Sequence, residues 1–236
     1  MCCHPEKKRD RTKKETKVNK IIFIVFTLVC YTTACKPVSK NPHPEPEKKK
    51  KEIIIGIISF HTISQNLVEF SAKEIENFYG VKTDILERGS LPDSLKKPYP
   101  KRYNANKIID YLNIIKPKNL DYLLGLTDAK IATKKGNYKE WGILGLGQNP
   151  GPCCIVSTSN MGRKQPILCN RLSKVCLHEM GHNFGLPHCV SGDTLCFMRD
   201  AKGSIKTVDA AQKYICKYCK GYLTSKGFKI NPQAQI

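Results

Sequence analysis

The stretch VCLHEMGHNFGLPHC, residues 175–189, contains three of the six histidines in this 236-residue chain. His178 and His182 are four residues apart, so on a helix their imidazoles lie one turn apart on the same face and can bind one metal ion. Glu179 stands beside the first ligand and can reach a metal-bound water molecule without binding the metal itself. The spacing therefore predicts a metal site that includes its own general base.

The residues after this helix supply a third ligand. Gly185 follows His182 by three positions, and glycine tolerates a positive φ, so it can end the helix and turn the chain. His188 can then return to the same metal ion. Three neutral imidazoles leave one coordination position open for water, which is typical of catalytic zinc and not of closed structural sites. The pattern predicts a zinc centre that activates water.

The complete motif H-E-x-x-H-x-x-G-x-x-H is the metzincin signature, in which Met198 would supply the Met-turn beneath the metal. The cysteines that follow resemble those of one family in that clan, the archaemetzincins. They are Cys189, Cys196, Cys216 and Cys219. Six residues separate Cys189 from Cys196, where we expect four, and a two-residue loop insertion would account for the difference.

The resemblance implies a zinc-dependent metallopeptidase with two zinc ions. The three histidines would hold a catalytic ion. The four cysteines would hold a structural ion that links a small C-terminal subdomain to the active-site helix. Glu179 would take a proton from the attacking water, and a peptide would add to an edge strand near WGILGLG, residues 141–147.

Two alternatives stay open. One is a membrane-tethered binding protein that keeps the zinc fold but has lost catalysis. The other is a secreted metzincin of another family, in which disulfides replace the second zinc. Four further cysteines are either paired or buried as free thiols, and we expect burial for Cys154 and Cys176. These four are Cys153, Cys154, Cys169 and Cys176.

The fold class follows from alternating strand and helix patterns upstream of the motif. They predict an α/β, metzincin-like fold with a mostly parallel mixed sheet. The predicted strands are EIIIGIIS (52–59), VKTDILE (81–87), LDYLLGL (120–126), WGILGLG (141–147) and CCIVST (153–158). The predicted helices cover residues 64–80, 105–115 and 170–184, with a last helix near 207–223 and a proline-broken loop at 91–100.

The first 35 residues resemble an N-terminal targeting segment. Residues 1–35 combine a basic region with an apolar run, residues 21–31, that is too short to span a bilayer and suits a signal peptide. The run leads into TTAC, which resembles a lipobox in which Cys35 would be lipidated. This predicts a membrane-anchored lipoprotein, periplasmic or on the cell surface. The alternatives are an uncleaved membrane anchor and an apolar segment without a targeting role.

Composition and charge predict the domain boundaries and the kinds of partner. Residues 36–52 are rich in proline and lysine and predict an extended tether, and residues 53–236 form the predicted catalytic domain. That domain carries 26 basic and 14 acidic side chains, which suits a solvated face or an acidic substrate or lipid. No nucleic-acid-binding signature is present. The predicted partners are a peptide or protein substrate and a membrane; the sequence predicts no oligomeric state.

Overall fold

The computed structural model describes residues 52–232. The strands are β1 (Ile54–Ser59), β2 (Lys82–Ile85), β3 (Tyr103–Asn104), β4 (Tyr122–Thr127), β5 (Ile131–Lys135), β6 (Tyr138–Ile143), β7 (Gly145–Gly147) and β8 (Cys153–Ser157). The helices are α1 (Gln65–Tyr79), α2 (Ala105–Ile115), α3 (Gln165–Asn183), α4 (Ile205–Ala210) and α5 (Lys217–Ser225). A 3-10 turn, Asp93–Lys96, lies in the predicted proline-broken loop.

The main sheet has five strands in the order β2-β1-β4-β8-β7. The first four are parallel to one another, and β7 pairs antiparallel with β8 at the edge. Successive residues of a strand face opposite sides, so Ile57 packs in one core with α1 and α3, while Ile58 packs in a second core with α2. The prediction of a mostly parallel mixed sheet in an α/β fold is confirmed.

The prediction of one strand over WGILGLG is wrong. Trp141 belongs to β6, which pairs with β5 in a separate three-stranded sheet of order β3-β5-β6. Gly145 begins β7, the edge strand of the main sheet. The chain changes sheets at Leu144, between these strands. The small sheet escaped prediction because β5 reads IATKK and β3 has two residues, so neither shows a strong apolar pattern.

The last predicted helix, near 207–223, is two helices. α4 ends at Ala210, and an irregular segment precedes α5, which begins at Lys217. Cys216 is the N-cap of α5 with extended backbone angles, so a continuous helix cannot pass through it. The break places Cys216 and Cys219 on the first turn of the second helix, which faces the predicted cysteine site.

The predictions for the front of the chain lie outside the described residues: the signal segment, the lipidation site Cys35 and tether residues 36–51. Within residues 52–232, no helix is both long enough and apolar enough to cross a bilayer.

Candidate active site

Helix α3 brings the first two histidines together. The Nε2 atoms of His178 and His182 are 3.0 Å apart, and their ring centroids are 4.6 Å apart. Two ligands of a tetrahedral zinc with Zn–N bonds of about 2.05 Å would be roughly 3.3 Å apart. The pair therefore has nearly the spacing that one zinc ion requires.

Backbone carbonyl groups orient both rings. Nδ1 of His178 lies 2.7 Å from the Phe197 oxygen, and Nδ1 of His182 lies 2.7 Å from the Leu186 oxygen. Each Nδ1–H donates to its carbonyl, which leaves the Nε2 lone pair free for a metal. Burial lowers the pKa of His178 to about 3, and the neighbouring His182 adds to this effect. The imidazole is therefore neutral near pH 7, as a zinc ligand must be.

The turn after α3 places the third histidine beside the other two. Gly185 has φ of 92°, a left-handed conformation that glycine adopts without strain. The His188 ring centroid lies 5.4 Å from that of His178 and 4.8 Å from that of His182. One nitrogen from each of the three rings lies within 4.8 Å of the others. The three residues would fit one zinc ion, and all three line the same cleft.

Glu179 is 6% exposed and packs against strand β7. Burial raises the pKa of its carboxyl group to about 8, although the backbone N–H of Gly147 donates to it and opposes the shift. Gly145 and Gly147 let the strand approach the helix closely, since a Cβ on Gly145 would overlap Glu179 Oε1 and a Cβ on Gly147 would lie 2.6 Å from the Glu179 carbonyl oxygen. The two glycines therefore leave room for Glu179 beside the strand, and the Gly147 N–H binds its carboxyl group.

We expect Gly145→Ala to lower kcat for peptide hydrolysis by about 10- to 100-fold, because displacement of a reacting group by about 1 Å has that effect. The new methyl group would push the Glu179 carboxyl group aside. Zinc content should not change, since Gly145 is not a ligand. Steady-state kinetics and metal analysis measure both quantities.

Gly221→Ala is the matched control. Gly221 lies on α5, and no atom lies within 4 Å of a Cβ placed there. Alanine should leave kcat unchanged and stabilise the helix by up to about 1 kcal/mol. Equal kcat values for Gly145→Ala and the unmutated protein would show that the contact with Glu179 does not position it.

Met198 lies beneath the histidines. Its side chain is fully buried, and a Cβ on Gly181 would lie 2.6 Å from its sulfur, so the thioether packs on α3 between His178 and His182. The Met198 carbonyl oxygen accepts a hydrogen bond of 2.8 Å from the N–H of Cys189. This contact ties the predicted Met-turn to the residue that follows His188.

The four predicted cysteines form a second cluster. Their sulfur atoms all lie within 4.8 Å of one another. Cys189 and Cys216 have sulfurs 3.5 Å apart, and Cys196 and Cys219 have sulfurs 3.9 Å apart. Ligands of a tetrahedral zinc with Zn–S bonds of about 2.3 Å would be roughly 3.8 Å apart. The donor set and its spacing fit a closed zinc site.

Hydrogen bonds favour the thiolate form at one of these sulfurs. A hydrogen bond from Cys219 lowers the pKa of Cys196 to about 6, and the backbone N–H groups of Cys216 and Met198 act in the same direction. Burial opposes this effect. Since the thiolate is the metal-binding form, Cys196 is prepared for a cation.

The other cysteines of the domain are free thiols. Cys153, Cys154 and Cys176 are fully buried, and Cys169 is half-buried. Burial raises the pKa of Cys153 to about 11 and that of Cys176 to about 12, so both remain protonated. None of the eight cysteines between residues 52 and 232 forms a disulfide. The expectation of burial for Cys154 and Cys176 agrees with this structure.

Comparison with known proteins decides the family. The profile of peptidase family M54 matches residues 53–225. The chain belongs to peptidase family M54. It is a zinc-dependent peptidase, and the resemblance to archaemetzincins is confirmed.

Relatives of this M54 peptidase cover most of its length. Archaemetzincin of Nanoarchaeum equitans (strain Kin4-M) is 26% identical over 184 residues, which are 78% of this chain and 96% of that protein. Archaemetzincin of Methanopyrus kandleri is 27% identical over 155 residues, which are 65% of this chain and 84% of that protein. The alignment thus spans nearly the whole of these proteins.

Solved structures share the fold. The crystal structure of archaemetzincin from Methanopyrus kandleri matches with a TM-score of 0.64 and 24% identity, covering 74% of this chain and 94% of that one. That of archaemetzincin from Archaeoglobus fulgidus matches with a TM-score of 0.60 and 21% identity, covering 71% and 99%. The fold of the M54 peptidase is that of these proteins.

A cleft of about 640 Å³ in the M54 peptidase runs over the three histidines and Glu179. Two of its lining residues, Asp200 and Lys174, were not predicted from the sequence. Asp200 lines the cleft; burial opposes its ionisation, but the Lys202 N–H and nearby positive charge hold its pKa below the usual value. Lys174 also lines the cleft, one helical turn before His178. Lys174 could have been predicted from its position four residues before His178, because residues four apart on a helix lie on the same face.

Proposed function

We propose that this M54 peptidase hydrolyses peptide bonds at a zinc ion held by His178, His182 and His188, with Glu179 as general base. The observation that carries the proposal is the convergence of three imidazole nitrogens within 4.8 Å, beside one buried carboxyl group. Zinc bound there supplies Lewis acidity, which polarises a carbonyl group and lowers the pKa of water.

Glu179 moves the proton. Its carboxyl group takes a proton from the attacking water and transfers it to the amine of the leaving peptide. Burial raises the pKa of this carboxyl group above its usual range, which favours its acceptance of a proton. The Gly147 N–H holds the carboxyl group against β7, so it meets substrate in one orientation.

Strand β7 is the proposed docking edge for the substrate backbone. Among the described strands it pairs only with β8, so its other edge is free to pair with an extended peptide. Leu144, Gly145 and Leu146 line the cleft. A peptide along this edge would pass over Glu179.

We propose a second, structural zinc ion held by Cys189, Cys196, Cys216 and Cys219. It would tie the loop after His188 to helix α5. His188 and Cys189 are adjacent and would serve different ions, since their side chains join different clusters.

We further propose that residues 1–35 direct export and that Cys35 is lipidated, making the protein a membrane-anchored lipoprotein facing the periplasm or the cell exterior. The proposal is supported by the apolar run that leads into TTAC. Mass spectrometry of the mature N-terminus should find a diacylglyceryl group on Cys35, whereas an unmodified residue in this position would refute the anchor.

Removal of zinc with a chelator distinguishes a peptidase from a catalytically inactive binding protein. Family membership does not favour the binding protein. We expect the pure protein to cleave members of a mixed peptide library, a zinc chelator to abolish cleavage, and added zinc to restore it. Mass spectrometry of the products measures this. Peptide capture without cleavage, in protein shown to contain zinc, would support the binding protein instead.

A further inference from the structure

Lys174 occupies an unusual place for a lysine. It lies on α3 one turn before His178, lines the active-site cleft, and is 3% exposed. Its ammonium group donates a hydrogen bond of 2.9 Å to the carbonyl oxygen of Ala211, at the end of α4. An ammonium group has three donors, and within residues 52–232 this is its one hydrogen bond.

The nearby acidic group does not neutralise this lysine. Asp209 binds Arg171 through two hydrogen bonds of 2.7 Å each, so its carboxylate is already paired. Burial lowers the pKa of Lys174, and the attraction of Asp209 only partly opposes this shift. A buried charge that its surroundings compensate only in part is unfavourable. Its position in a substrate cleft indicates that a ligand supplies the missing negative charge.

Apolar residues surround Lys174 in this part of the cleft. Val175, Val208 and Ala211 line the same cleft, and the hydrogen bond to Ala211 places Lys174 among them. Residues four apart on a helix have Cβ atoms about 5–6 Å apart, while an extended peptide advances roughly 3.4 Å per residue. This part of the cleft is therefore within reach of a residue next to the bond positioned over His178.

The whole cleft favours an anionic ligand. Among its lining residues, five are basic and two are acidic. The basic ones are Lys134, Lys135, Lys174, Arg199 and Lys202. The acidic ones are Glu179 and Asp200. Charged side chains at the rim of the cleft attract any acidic peptide from a distance. A buried ammonium group instead distinguishes a carboxylate from a neutral group at one position of the bound peptide.

We infer that Lys174 determines substrate specificity by binding a carboxylate next to the scissile bond, supplied by an acidic side chain or by the free C-terminus of the peptide. The inference rests on the proposed function, because it assumes that peptides lie over the three histidines. It predicts that carboxylate recognition depends on Lys174 and not on the general excess of positive charge.

The probe is a series of synthetic octapeptides in which one glutamate moves through successive positions of an alanine–leucine host. Each has a matched glutamine peptide, and each is made with a free and an amidated C-terminus. We expect glutamate at one position next to the cleaved bond to raise kcat/KM about 10- to 100-fold over glutamine, the range for a hydrogen bond to a charged group. If the bound carboxylate is the free C-terminus of the peptide, amidation should instead lower kcat/KM by the same factor.

Lys174→Gln tests the residue itself. Glutamine can still donate to the Ala211 oxygen, so it separates the charge from the contact with α4. We expect the glutamate-to-glutamine ratio of kcat/KM to fall to about 1. Lys206→Gln is the matched control: Lys206 is exposed on α4 and does not line the cleft, so the ratio should not change.

Binding gives a second measurement that needs no turnover. Zinc-loaded Glu179→Gln protein, titrated calorimetrically with the same peptides, should show the same preference in Kd, and adding Lys174→Gln should remove it. Equal Kd values for glutamate, glutamine, free and amidated peptides would overturn the inference even if Lys174→Gln failed to fold. If the unmutated protein cleaved nothing while this binding preference held, the proposed peptidase mechanism would fail and the role of Lys174 would stand.

Discussion

Glu179→Gln is expected to lower kcat/KM for peptide hydrolysis by about 10²- to 10⁴-fold, the contribution of a positioned general acid–base group. Glutamine has the same shape, so it fits the space that Gly145 and Gly147 leave beside β7. Its side-chain oxygen can still accept the hydrogen bond from the Gly147 N–H, but the amide cannot take a proton from water. The three histidines are untouched, and zinc content should be unchanged.

The control is Glu69→Gln, which makes the same chemical change on the exposed face of α1. It should leave kcat/KM unchanged. Steady-state kinetics on one peptide and metal analysis on the same preparations measure both effects. Full activity in Glu179→Gln would mean that another carboxylate is the base, and Asp200 is the one other acidic residue lining the cleft.

Cys196→Ser is expected to reduce the zinc content from two ions per chain to one. It should also lower the free energy of unfolding by at least about 3 kcal/mol, a part of the roughly 10–16 kcal/mol that structural zinc contributes to isolated zinc fingers. Cys196 is fully buried between the Cys216 N–H and the Cys219 sulfur, so no water can replace its contacts. Metal analysis and urea denaturation measure the two effects.

Cys169→Ser is the matched control, because Cys169 is a half-buried thiol on α3 outside both clusters. It should change neither the zinc content nor the unfolding free energy by more than about 0.5 kcal/mol. Titration of free thiols completes the test. Unmutated protein with one zinc ion and two disulfides among the four clustered cysteines would refute the second site.

Loss of the cysteine site should also lower the activity at the histidine site. The Phe197 oxygen orients His178, and Met198 packs beneath the histidines; both residues directly follow Cys196. Loss of the cysteine site would loosen this segment. Part of the activity should therefore be lost in Cys196→Ser even though His178, His182 and His188 are intact.

The sequence was sufficient for the features whose contacts are close along the chain. A helix places His178 and His182 four residues apart on one face, and Gly185 permits the turn that returns His188. Apolar strand segments around residues 52–59 and 153–158 predict a covered parallel sheet, because both faces of such strands must be buried. These local rules determined the fold class and the candidate ligands.

Only the tertiary structure decided the features that depend on distant segments meeting. The chain leaves one sheet for another at Leu144, because Trp141 pairs with β5 while Gly145 pairs with β8. Burial of Glu179 against two glycines, and of Lys174 against Ala211, arises where α3 meets β7 and α4. Desolvation and hydrogen bonding depend on these three-dimensional neighbours, and residue spacing along the chain does not encode them.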